Sequence, residues 1–373
     1  MPGLLVLLLA VSAAAQTPSV ATEVAAAHPA EARYDFSSVT EFVQRMVDER
    51  AMKGAAMALI KDDRVIYKEV FGAFQADTVL PIASASKWFA VTPVLALVDD
   101  GVFSLDDRVA DYIPLFAGDK ASMTIRHGLS CMTGISNSIP RNWLKDTSIT
   151  LKQCVERVAN VDLLHPPGEK FQYGGWHFQT AARVAEVATG KPWHQIFGEK
   201  LTGPLGLADT YHGNLVYVEN GTERGSLIGS HFDSRPTLNP HIAGGIGTTL
   251  NDYIRFMRML ANDGVFEGKR VLSSDSVHEM LRVDQTHGAE VAYAAGRGDS
   301  FLGYGLGSWI LRVDSDGNIL EVADPGAGGT TPWIDFEFEV AGVIMTATSV
   351  LNIREQSPVI REMVRKIVGK PGS

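Results

Sequence analysis

A serine and a lysine three residues apart, Ser84 and Lys87, stand at the head of an apolar run, Trp88 to Val98. On a helix such a pair shares one face, with Cβ atoms about 5–6 Å apart. A hydroxyl and an amine so placed can meet at the mouth of a pocket, the serine as nucleophile and the lysine as its activating neighbour. The run that follows leaves little polar face, so the helix is expected to be buried. Burial disfavours a charged lysine and lowers its pKa, which makes Lys87 a proton acceptor near neutral pH. About one S-x-x-K is expected by chance in a chain this long, so the motif alone identifies nothing. The same residues also read as an inert helix cap and a lysine whose stem lies along the surface.

The helix that must carry this pair runs from Ser84 to Asp100 and is stopped by Gly101. Before it, Ser37 to Met52 has an amphipathic stripe (Val39, Phe42, Val43, Met46), and apolar runs on either side of Lys61-Asp62-Asp63 predict a β-hairpin over Gly54–Ile60 and Arg64–Phe71. Helices follow at Thr124–Leu129, Thr150–Ala159, Phe178–Thr189, Trp193–Leu201 and Thr249–Asp263. The chain closes with strand-like runs at Gly305–Arg312, Ile319–Ala323, Trp333–Glu339 and Val340–Ser349, then a helix over Ser357–Val368. That order predicts an α/β (α+β) fold, an antiparallel sheet flanked by helices and built from both termini, with a mostly helical region inserted between them. The expected domain spans about 36–370, its α/β part about 36–105 and 265–370 and its helical insert about 106–264.

Composition narrows the partners. The chain has 373 residues, 45% of them hydrophobic, with net charge −10 and no Lys/Arg run, so nucleic acid and anionic membrane surfaces are poor partners. Residues 1–15, with an apolar stretch from Leu4 to Val11 and an Ala13-Ala14-Ala15 site, resemble a signal peptide, although no Lys or Arg precedes the stretch. Export to the periplasm or the medium is therefore expected, with residues 16–35 as a linker and no later segment apolar enough for a stable membrane span. Two cysteines, Cys131 and Cys154, permit one disulfide in an exported chain, which is the expectation here; the other reading is two buried thiols. The ten histidines are scattered without an H-E-x-x-H, so no metal site is expected. His177 and His241 read as packed or exposed side chains unless they turn into the site.

Taken in order, several stretches resemble the serine β-lactamase-like family, which includes class C β-lactamases, serine D-Ala-D-Ala carboxypeptidases and family VIII-type serine carboxylesterases. The resemblance runs from about Phe36 to Val368. It rests on IASASK at the nucleophile, DDGVFSLDDRVADYIP after it, TIRHGLSCMTGI, PPGEKFQYGG, HIAGGIGTTLNDYIRFMRML and GAGGTTPW. It implies a β-lactamase/transpeptidase-like fold and acyl transfer without a cofactor. Ser84 would form an acyl-enzyme, and Lys87 and Tyr173 would share the base role. The backbone N–H groups of Ser84 and Gly329 would form the oxyanion hole. Gly175, Gly326, Ala327 and Gly328 would border the substrate. Trp176 and Trp333 are aromatic candidates for an acyl pocket, or else core residues. A Cys131–Cys154 bridge would tie a turn to the following helix.

Two departures bear on the substrate. Gly175 stands where the family has Asn, and Gly326 where it has Lys or His. The Asn would hydrogen-bond an amide substrate and the cation would bind a carboxylate. Losing one such contact costs roughly 2–4 kcal/mol in transition-state binding. Both losses argue against a β-lactamase or carboxypeptidase and less against an enzyme acting on a small-molecule ester. A weak β-lactamase or D-amino-acid peptidase acting on an amide is one alternative. A binding or sensor module of the same fold that has lost turnover is the other.

Overall fold

The computed structural model describes residues 34–369 except 51, 137–138, 141, 217, 220–221, 224–230, 234–236 and 296–299. The expected signal peptide, and the linker apart from its last two residues, lie outside this set. Helix α1 (Ser37–Glu49) precedes the hairpin β1 (Gly54–Lys61) and β2 (Arg64–Gly72). The hairpin turn places Asp62 and Asp63 at φ 52° and 55°, the paired left-handed conformation of a two-residue turn, which Asp tolerates better than most side chains.

Further along come α2 (Ser86–Asp99), α3 (Trp176–Thr189) and α4 (Leu250–Ala261). Four strands then follow, β3 (Trp309–Val313), β4 (Ile319–Ala323), β5 (Thr331–Asp335) and β6 (Val340–Thr346), before α5 (Gln356–Val368) closes the chain. The six strands form one sheet in the order β3-β4-β5-β6-β1-β2. Every neighbouring pair is antiparallel, and Ala58 of β1 lies opposite Val343 of β6. The hairpin from one end of the chain thus completes a meander from the other.

The pleat of β1 explains its fully apolar sequence. Ala55, Met57 and Leu59 face a core shared with Val39, Val43 and Met46 of α1 and Ile360 and Val364 of α5. Ala56, Ala58 and Ile60 face the larger core that contains α2, α3 and α4. A strand buried on both faces has no polar alternation. On the first face, Glu321 of β4 and Asp335 of β5, each about 1% exposed, are tied to arginines. Arg361 reaches Glu321 at 2.6 Å, Arg365 reaches Glu321 at 3.1 Å and Asp335 at 3.2 Å, and Arg312 reaches Asp335 at 2.8 Å.

Helix α2 is buried almost all round and continues unbroken through Pro93. Its neighbours in the helical region begin at side-chain caps: Thr124 Oγ1 accepts from His127 N, and Thr150 Oγ1 from Gln153 N. Both cysteines are free, a correction to the expected bridge. Each thiol faces a different carbonyl, Cys131 that of Gly174 and Cys154 that of Trp143, both at 3.6 Å, and burial pushes each up to about 11. They pack as small apolar side chains.

Candidate active site

The chain reaches Ser84 through a short strand, Leu80–Pro81, that pairs with Ile246–Thr248. Ala83 then takes φ 48°, and a single 3₁₀ turn over Ala83–Ala85 leads into α2. Left-handed backbone at a residue with a Cβ costs on the order of 1–3 kcal/mol and is held only by its surroundings. The turn leaves Ser84 half-exposed on the cavity floor, while Ala83, Ala85 and Ser86 beside it are buried. Its hydroxyl makes no hydrogen bond among the described residues; in a site without substrate, catalytic hydrogen bonds are often long and close only in the complex.

Lys87 is 1% exposed, one helical turn beneath Ser84. Its Nζ donates to Tyr173 Oη at 2.9 Å and to the Ala243 carbonyl at 3.2 Å. Burial pushes the ammonium down, but the Tyr173 oxygen and the Asp324 carboxylate outweigh it, and the pKa stands above the ordinary lysine value. This corrects the expectation drawn from the apolar run. Burial was rightly anticipated, yet the partners supplied by distant segments keep the charge.

Tyr173 follows the strand Lys170–Gln172, and its N–H donates to Tyr293 O at 2.9 Å. Its ring lies 4.8 Å from Trp309 and 6.0 Å from Tyr304 between centroids, so the phenol is clamped by aromatic packing. Ala243 belongs to the turn His241–Gly245, held where Ile242 N donates to Gln179 Oε1 and Gly245 N to His241 O, both at 2.6 Å.

Two cavity lobes meet at Ser84, Tyr173 and Ala327. The first, about 590 Å³, adds Lys87, Gly175, Trp176 and His241. The second, about 380 Å³, is walled by Trp309, Leu311, Leu351 and Ile353, with Arg354 among its residues. A third cavity of about 650 Å³ has a charged lining that includes Lys61, Asp263, Arg282 and Glu339, and neither Ser84, Lys87 nor Tyr173 borders it.

The glycine-rich segment after β4 requires two corrections. Gly329 N–H closes a turn on Gly326 O at 2.8 Å, so it does not face Ser84. Ala327 is the exposed residue of the segment and shares both lobes with Ser84. Gly326 N–H bonds Thr330 O at 2.7 Å, while no acceptor takes the Ala327 N–H among the described residues. Gly326 and Gly328 are buried and line neither lobe. A Cβ on Gly326 would come within 2.0 Å of Ile82 O, so its role is to let this segment press against the turn that carries Ser84.

Trp333 also leaves the site. It is 1% exposed in the core beneath α1 and α5, lying flat over Gly342, where a Cβ would come within 2.2 Å of the ring. Trp176 does line the first lobe. His177 is buried, its Nδ1 2.6 Å from Thr133 Oγ1, and burial lowers it to about 4. Sequence reasoning missed Ala243, which acts through its main-chain oxygen, and Asp324, which is wholly buried at the end of β4 where a cation was sought. Among the described residues no group of three or more metal-ligating side chains occurs.

Comparison with known proteins places this geometry. A family model described as Beta-lactamase matches residues 39–358. Penicillin-binding protein 4 of Amycolatopsis lactamdurans is 27% identical over 361 residues, covering 90% of each chain. Among solved structures, a candidate beta-lactamase from Bacteroides dorei DSM 17855 superposes with TM-score 0.74 at 30% identity, covering 90% of this chain and 99% of the other. EstCE1, described as a hydrolase with promiscuous acyltransferase activity, superposes with TM-score 0.72 at 22% identity over 90% of this chain and 98% of its own, a likeness of fold.

Proposed function

The chain belongs to the Beta-lactamase family of serine hydrolases, and we propose that it works through a Ser84 acyl-enzyme on small carboxylic esters. The observation that carries this reading is the 2.9 Å contact between a buried, charged Lys87 and Tyr173 at the cavity that Ser84 enters. Ser84 Oγ attacks the ester carbonyl and its proton passes to Tyr173 Oη. For this step Tyr173 is the phenolate, its negative charge facing the Lys87 ammonium, and that charge passes to the oxyanion as the proton arrives. The oxyanion lies against the N–H groups of Ser84 and Ala327. Collapse breaks the bond to the alcohol, which leaves with the proton returned by Tyr173. Water then attacks the acyl-enzyme by the same relay, releasing the acid and restoring Ser84.

The preference for esters rests on what borders the site. Gly175 offers no side-chain amide, and the segment Asp324-Pro325-Gly326-Ala327-Gly328 offers no cation. An ester of neutral acid and alcohol needs neither. EstCE1, of the same fold, is described as a hydrolase with acyltransferase activity, which is consistent with this choice. Likeness to a penicillin-binding protein favours a second reading, hydrolysis of a β-lactam or a D-amino-acid amide. Turnover of short-chain p-nitrophenyl esters, compared with a chromogenic cephalosporin and a D-alanyl peptide, separates them. Ester turnover lost in Ser84→Ala supports the first reading, and cephalosporin or peptide turnover above ester turnover overturns it. Export is part of the proposal and rests on Leu4–Val11 and Ala13–Ala15. A mature chain beginning at Gln16 in the exported fraction is the expected product.

A further inference from the structure

The wall of the first lobe holds an imidazole between two glycines. A Cβ on Gly175 would stand 3.2 Å from His241 Nε2, and one on Gly244 only 2.7 Å from His241 Cε1 and 3.0 Å from Nδ1. Neither glycine is needed for its backbone. Gly175 has φ −88° and ψ −23°, open to any residue, and Gly244 is not among the glycines with positive φ. Space for the ring is what these positions provide. The main chain that carries the ring is also fixed from behind. His241 O accepts from Gly245 N at 2.6 Å, Gly244 N at 3.0 Å and His212 Nε2 at 3.1 Å. Trp193 Nε1, which can only donate, meets His212 Nδ1 at 2.9 Å, so the proton of His212 is on Nε2 and points at that carbonyl. His241 and Gly175 border the same lobe as Ser84, Lys87 and Tyr173, and Nε2 is the ring atom nearest the side-chain position that Gly175 leaves open.

We infer that His241 is a specificity-determining residue that offers a ring nitrogen to a hydrogen-bonding oxygen on the acyl part of the substrate, and that Gly175 is a glycine to give that nitrogen room. The substrate class is an ester whose acyl chain carries a hydroxyl or keto oxygen close to the scissile carbonyl. This rests on the Ser84 ester-hydrolase reading.

The test compares kcat/KM for p-nitrophenyl 3-hydroxybutyrate and p-nitrophenyl butyrate in the full-length enzyme, His241→Phe and His241→Asn. His241→Phe keeps a ring and removes both nitrogens. The expected result is a roughly tenfold fall in the hydroxyester-to-butyrate ratio in His241→Phe, partly restored in His241→Asn, which can again hydrogen-bond. A parallel fall of both esters, or no change in the ratio, overturns the proposal. Gly175→Asn tests the space argument. It is expected to slow phosphonylation of Ser84 by a fluorophosphonate at least tenfold, with recovery when His241→Ala is added. No recovery in a double variant whose melting temperature matches the single one's overturns it. If wild-type enzyme is labelled at Ser84 yet hydrolyses neither ester, the ester reading fails and this proposal with it. If both esters turn over and only the ratio is indifferent to His241, this proposal alone fails.

Discussion

Strand β4 and the residue that follows it carry two buried carboxylates with opposite employment. Glu321, within the strand, meets Arg361 and Arg365, while Asp335 on β5 meets Arg365 and Arg312. Each charge there faces an opposite one, and the pairs join three strands of the sheet's edge to α5. Three residues past Glu321, Asp324 instead lies in the field of Lys87, whose Nζ has a phenol and a carbonyl as its hydrogen-bond partners among the described residues. Charge in the first region is closed on itself, away from the catalytic cavity except where Arg361 borders the second lobe. In the second it ends on an oxygen at the cavity surface. A buried ion network whose members all face one another holds elements in place; one whose last member faces a cavity beside a nucleophile can move a proton.

Replacing one member on each side should give opposite signatures. Lys87→Met is expected to lower kcat for ester hydrolysis by about a thousandfold, within the range of lost proton-transfer catalysis, in steady-state kinetics on protein that thermal melts show to be folded. Retained activity would place Lys87 among the merely structural charges. Glu321→Ala leaves Arg361 buried without its partner. It should cost roughly 3–5 kcal/mol in urea unfolding, with turnover per folded molecule nearly kept. A catalytic loss without a stability loss would dissolve the comparison.

Acid should also act through two buried histidines of the inserted region. His177 and His212 are both held at about 4 by burial. An unfolded chain takes up those protons near 6.5. Their folded pKa values are depressed, so their contribution is fully present above pH 6.5 and is lost as pH falls towards 4, on the order of 3 kcal/mol for each histidine. Urea melts between pH 7 and pH 4 should show that loss, with part of it absent in a variant lacking one histidine. The smallest effect belongs to Asp324→Asn. It removes one of the charges that hold Lys87 up, so the alkaline limb of the kcat/KM profile should move to lower pH. An unmoved limb would mean that Tyr173 alone sets the state of Lys87.

Much of this arrangement was legible in the chain. Ser84 and Lys87 stand out by their spacing and Tyr173 by the family-like stretch PPGEKFQYGG, and the structure brings the three to one cavity; the hairpin is legible because Asp62-Asp63 has a strong local preference for the turn. The charge on Lys87 was not legible, since its partners lie 86 and 156 residues away in sequence. The oxyanion donor was misplaced among glycines because an N–H has no side chain to show which way it points. Trp333 was misplaced because β5 is buried on both faces, and a strand without polar alternation does not say which face is which.

Covalent labelling reads out directly whether Ser84 is the nucleophile of this serine hydrolase. Folded protein treated with a fluorophosphonate, digested and mapped by mass spectrometry is predicted to carry one adduct, on Ser84, and to carry none in Ser84→Ala. An adduct on another serine, or an unlabelled but fully folded wild-type protein, would contradict the account.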